Sequence, residues 1–69
     1  MDIDVRKIRH NLKMSQAQFA ENFGLDLGTL QNWEQGLRSP SGPARVLLLV
    51  IEKQPQIVLA AIAEAALSL

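Results

Sequence analysis

The 69-residue sequence has no cysteine, which excludes disulfides and thiolate chemistry and fits a reducing cytosol. It also has no net charge, with seven basic side chains against seven acidic ones. A phosphate-binding chain normally shows a basic surplus, so overall charge gives this one no attraction for nucleic acid. Long apolar runs are missing too. The longest, 46–51 and 57–63, are too short to span a bilayer, and the opening MDIDVRKI lacks the apolar stretch of a signal peptide. Nothing repeats, and no segment is of low complexity. The only histidine, His10, sits among basic residues with no partner acid or nucleophile suggested nearby, and reads as solvent-exposed. There is no cluster of metal-ligating residues and no glycine-rich phosphate loop after a strand. The expectation is a non-enzyme without cofactor or metal.

What is present is an uneven distribution. Arg6, Lys7, Arg9, His10 and Lys13 crowd one short stretch, Arg38 and Arg45 follow later, and no basic residue occurs after Lys53. The chain is therefore dipolar, with a basic half and an apolar half. Sixty-nine residues make one domain, 1–69, whose core is marginal alone, so self-association is expected.

No segment reads as a strand, and the fold class is all-α with five helices. Val5, Ile8 and Leu12 recur at helical spacing, placing the first helix near residues 4–13 with Asp2 or Asp4 as its cap. Ser15 and Gln18 form a capping box for the second, with Met14 and Phe19 as a hydrophobic staple, and Phe19, Ala20 and Phe23 inward. Gly24 ends it in a left-handed turn. Asp26 caps the third helix, with Leu25 and Leu30 as staple, Leu30 and Trp33 inward, and Gly36 as its stop. The only tryptophan, Trp33, reads as core rather than a base-stacking platform. After a polar loop at 37–42, Pro43 and Pro55 open the fourth and fifth helices, reaching about Lys53 and Ala66. The fourth is apolar on every face over 46–51 and must be covered all round. Part of this C-terminal half, about 43–67, is expected to close a homodimer through Leu48, Ile51, Ile57, Val58 and Ile62.

Two short capped helices around a glycine turn, 15–36, form the pattern of a helix-turn-helix, in which the second helix enters the DNA major groove. With Leu30 and Trp33 inward, the third helix presents Leu27, Gly28, Gln31, Asn32 and Gln35 outward and Thr29 at the border. Asn32 has the groups for a bidentate pair with adenine, Gln31 for adenine or a phosphate, and Leu27 or Thr29 for a thymine methyl. Gly28 carries no reading side chain and would let the helix approach the groove closely. The alternative is an ordinary polar helix face. Arg38 is a candidate phosphate contact, as is Arg45. Asp26 reads as a cap alone.

The order and spacing of Gln16, Ala17, Phe19, Ala20, Gly24, Leu30, Trp33, Glu34 and Gly36 resembles the phage-repressor-like (Cro- and XRE-type) helix-turn-helix family. The stretch from Gly28 to Pro55 is similar to small antitoxins of the HigA type, and the resemblance spans about Val5 to Ile62. It implies a five-helix, lambda-repressor-like domain with the motif at helices two and three. It also implies that Arg9 and Glu34 form a partly buried ion pair, and that Ser15 and Gln16 hold a DNA phosphate at the start of helix two; the alternative for Gln16 is a solvent-exposed residue that completes the cap. The functional expectation is a cytoplasmic homodimer that binds a palindromic operator and represses its own toxin–antitoxin operon. The implied protein partner is a HigB-type messenger-RNA-cleaving toxin. Antitoxins of this type often carry a flexible toxin-holding segment. Its absence here leaves a truncated form, or a toxin held by the folded domain, as expectations. The alternatives are a repressor without a toxin, or a protein-interaction module.

Overall fold

Asp4 accepts a hydrogen bond from the Lys7 N–H at 3.0 Å and starts α1, Val5–Asn11, in a computed structural model that describes residues 3–68. Asp2, the other candidate cap, lies outside the described residues. The helix stops earlier than its apolar spacing predicts. The Lys13 N–H turns back to the His10 carbonyl at 3.0 Å, and the Met14 N–H to the Arg9 carbonyl at 3.4 Å. This is the 6→1 and 5→2 closure of a Schellman turn, with Lys13 at φ 57° where glycine is usual.

In α2, Gln16–Phe23, both bonds of the capping box form: the Gln18 N–H to Ser15 Oγ at 3.1 Å, and the Ser15 N–H to Gln18 Oε1 at 2.9 Å. Gly24, at φ 67°, ends it, and the Leu25 N–H closes on the Ala20 carbonyl at 2.8 Å. Asp26 caps α3, Leu27–Glu34, through the Thr29 N–H at 2.9 Å. Gly36, at φ 76°, turns the chain so that the Leu37 N–H reaches the Asn32 carbonyl at 2.9 Å. Pro43 and Pro55 open α4, Pro43–Lys53, and α5, Pro55–Ser68, with a bend of 114° between them. The described residues contain no strand. No single helix among them is long and apolar enough to cross a membrane.

Every helix contributes to one core: Val5 and Ile8 from α1, Phe19, Ala20 and Phe23 from α2, Leu30 from α3, Leu48 and Ile51 from α4, Val58 from α5. The rings of Phe19 and Phe23 tilt against each other with centroids 4.8 Å apart, a favoured arrangement for an aromatic pair. Trp33 packs at the edge of this cluster, half-buried.

The core corrects the expected dimer surface. Leu48 and Ile51 are 0% and 1% exposed within a single chain, and Val58 is buried beside them, so none of the three is open to a partner. Both α1 and α5 pack on α4, and together they cover its Leu48–Ile51 side. Ile57 and Ile62 do stay at the surface, 60% and 40% exposed, along with Val46, Leu49 and Val50 on the far side of α4.

Candidate nucleic-acid interface

The scaffold of the site is an ion pair joining the first and third helices. Arg9 Nε donates to Glu34 Oε2 and Arg9 Nη2 to Glu34 Oε1, both at 2.7 Å, a two-pronged geometry that arginine and carboxylate share. Arg9 Nη1 donates to the Met14 carbonyl at 3.0 Å, fixing the turn before α2 to the same group. The Glu34 side chain is 0% exposed and that of Arg9 11%. The Arg9 hydrogen bonds hold the Glu34 carboxyl below its ordinary value, with further help from Gln16 and against the opposing effect of burial. The same pair pushes the Arg9 guanidinium up.

Two more side chains converge on Glu34. Arg6 places Nε 3.5 Å from Oε1 and donates from Nη2 to the Glu34 carbonyl at 3.3 Å. Gln16 donates from Nε2 to Oε1 at 3.2 Å. Gln16 Oε1 in turn accepts from Gln31 Nε2 at 3.4 Å, so the first residue of α2 is tied to the middle of α3. Neither Arg6 nor this glutamine chain was foreseen from the sequence. Arg6 lies one turn before Arg9 in a crowded basic stretch, and nothing in the spacing tells which of its charges faces Glu34. Gln16 reads as an outward residue until the crossing of α2 and α3 is known.

The other candidate residues lie along one side of α3. Leu27 and Gly28 are exposed in its first turn, and Gln31 and Asn32 are half-buried further along. Thr29 is drawn toward the cap: its hydroxyl donates to Asp26 Oδ2 at 3.1 Å, which leaves its methyl as the contacting group. Asp26 acts as the cap expected of it. Beyond Asn32 a groove of about 680 Å³ opens between α3 and the following loop, lined by Thr29, Asn32, Trp33, Arg38, Ser39 and Ser41. Exposed Arg38 therefore stands beside Asn32, the arrangement needed for one residue to meet a base and the other a phosphate. Ser39 and Ser41 add hydroxyl donors that the sequence reading passed over; their place around Pro40, in a polar loop after the candidate reading helix, was the available signal. Ser15 is exposed at the N-terminus of α2, as a cap must be.

Residues 5–44 match the Helix-turn-helix family. The chain belongs to the XRE-type helix-turn-helix family. It is similar to a crystal structure of an HTH XRE-family like protein from Agrobacterium tumefaciens, with a TM-score of 0.83 and 39% identity over 86% of this chain and 95% of that one. It is also 38% identical over 53 residues to Antitoxin HigA-2 of Vibrio cholerae, a match covering 77% of this chain. The chain spans about half the length of that curated relative, 51%. Membership of the helix-turn-helix family makes this a DNA-binding domain, of a family that is not enzymatic. In helix-turn-helix terms α2 is the bracing helix and α3 the recognition helix.

Proposed function

We infer that the chain is an antitoxin-type autorepressor: a homodimer that binds an inverted-repeat operator upstream of its own toxin–antitoxin operon. The observation that carries the DNA reading is the placement of Leu27, Gly28, Thr29, Gln31 and Asn32 along one side of a helix braced by the Arg9–Glu34 pair, with Arg38 beside them. In this reading Leu27, Thr29, Gln31 and Asn32 supply contacts to base edges and Gly28 lets the helix sit close to the groove, while Arg38, Ser15 and the first backbone N–H groups of α2 meet phosphates. The similarity to Antitoxin HigA-2 supports the antitoxin assignment and, with it, a HigB-type toxin as partner. Such a protein acts in the bacterial cytoplasm, at the nucleoid. The exposed Ile57 and Ile62 support self-association through α5, on the side left open after Leu48, Ile51 and Val58 are taken into the core.

Gel shifts on the DNA upstream of the chain's own gene test this. A retarded complex that weakens steeply as salt rises is expected, because phosphate contacts release counterions. Absence of binding to that DNA at low salt would sink the autorepressor. Sedimentation of Ile57→Asp tests the dimer: wild-type protein should sediment as a dimer at micromolar concentration and the variant as a monomer. A second reading, a regulator without a toxin, is favoured by the near-complete coverage of the Agrobacterium protein, described only as XRE-family like. Co-purification of a toxin encoded next to the chain decides between the two.

A further inference from the structure

The two hydrogen bonds that link Gln31 to Glu34 through Gln16 have a direction, and the direction has a consequence for base choice; this inference rests on the reading of α3 as the helix that meets base edges. The Glu34 carboxylate, held ionised by Arg9, only accepts hydrogen bonds. Gln16 must therefore turn its NH₂ group toward Glu34 Oε1, at 3.2 Å. That leaves the Gln16 carbonyl oxygen to face Gln31, and an oxygen requires a donor. Gln31 must then turn its own NH₂ group inward, at 3.4 Å. An amide free in solvent presents either end with equal ease, but neither amide in this chain can flip without setting oxygen against oxygen.

We propose that Gln16 is a positioning residue for sequence specificity: it transmits the acceptor-only character of Glu34 to Gln31 and so fixes Gln31 to read adenine and reject guanine. With one amide hydrogen given to Gln16, Gln31 keeps its carbonyl oxygen and one N–H for the groove. Adenine offers N6–H₂ as donor and N7 as acceptor, and matches both. Guanine offers O6 and N7, two acceptors, and sets O6 against the Gln31 carbonyl. A Gln31 released from Gln16 could rotate its NH₂ group toward O6 and N7 and accept guanine.

The experiment selects bound duplexes from a random library with the full chain, then measures competition by single A→G changes across the selected half-site. Gln31→Ala identifies the pair that Gln31 reads, as the position where discrimination disappears. For wild-type protein, A over G at that pair should be roughly tenfold. Gln16→Ala should reduce that ratio to about two or less, whatever it does to overall affinity, and leave the ratios at other pairs unchanged. A Gln16→Ala protein that binds all sequences more weakly but keeps the full A/G ratio overturns the proposal, leaving Gln16 as a phosphate contact alone. Should Gln16→Ala fail to fold, Gln31→Glu carries the test. Its carboxylate accepts only, so preference should move from adenine toward cytosine, whose N4–H₂ is a donor; retained adenine preference overturns the proposal. Failure of the wild-type chain to select any sequence is a separate result, and refutes the DNA reading itself.

Discussion

Replacing Glu34 by Gln tests the brace on which the interface stands. The amide keeps the shape of the side chain and removes its charge, so the Arg9 guanidinium is left nearly buried with no counter-ion. Removing one member of a fully buried pair costs about 3–5 kcal/mol. Arg9 is 11% exposed and retains its bond to the Met14 carbonyl, which places the expected loss at the lower end, about 3 kcal/mol. A domain of this length has a total stability of roughly 3–10 kcal/mol, so the loss is a large share of it. The thermal midpoint should fall by about 12–24 °C, at roughly 4–8 °C per kcal/mol for a domain this small. Urea titration followed by helical circular dichroism measures it, with the midpoint moving and the slope unchanged. Adding Arg9→Met to Glu34→Gln removes the stranded charge and should restore much of the stability, because apolar replacements of buried pairs are often neutral. A loss below about 0.5 kcal/mol in the single variant, with the double variant merely additive, would mean that the pair behaves like an exposed one and that the brace is misread.

The same carboxyl gives a pH signature. Glu34 is held below its ordinary value by Arg9, so its contribution is complete above the unfolded value and is lost as pH falls through the folded one; wild-type stability should decline across the acid side of the ordinary carboxylate range, and Glu34→Gln should lack that part of the decline in acid denaturation curves. Lys13→Gly relieves a left-handed non-glycine residue at φ 57° and should raise stability by about 0.5–1 kcal/mol after glycine's larger unfolded-state entropy is counted, read as a higher thermal midpoint. Gly24→Ala should do the reverse by about 1 kcal/mol, through backbone strain alone, since an added Cβ meets nothing within 4 Å. Leu48→Ala should cost about 3–5 kcal/mol in urea titration without changing the sedimentation coefficient of the folded protein.

Much of the fold was legible because its boundaries are written in capping chemistry. Ser15 with Gln18, Asp26, Gly24, Gly36, Pro43 and Pro55 each mark a helix end where the chain has one. The exception is instructive. The end of α1 is made by Lys13 in a conformation that lysine disfavours, so no residue type announces it, and Leu12 at helical spacing extends the apparent helix past its true end. Helix α4 was misread for a different reason. Its run at 46–51 is apolar without interruption, and a pattern with no polar positions has no phase. Only the packing of α1 and α5 decides that Leu48 and Ile51 face inward while Val46, Leu49 and Val50 do not. At the interface, the side of α3 follows from Leu30 and Trp33 facing the core. The Glu34–Gln16–Gln31 chain does not, because it depends on how α2 crosses α3.

The five residues along the reading side of α3, Leu27, Gly28, Thr29, Gln31 and Asn32, carry no formal charge, and the nearest acid, Asp26, is occupied with capping. Contacts of this kind select sequence but contribute little of the phosphate attraction that dominates affinity. Arg9 is spent on Glu34 inside the fold, and Arg6, though exposed, is drawn toward the same carboxylate, so two of the seven basic side chains already have an acidic partner. A single copy with so few cations left near its reading helix should bind weakly. Two linked copies on an inverted repeat act at high effective concentration, and gain far more than twice the affinity without any new contact. The proposed pairing through Ile57 and Ile62 therefore belongs to DNA binding as much as the recognition helix does. A monomeric Ile57→Asp protein with an intact reading face should lose operator binding while keeping its fold.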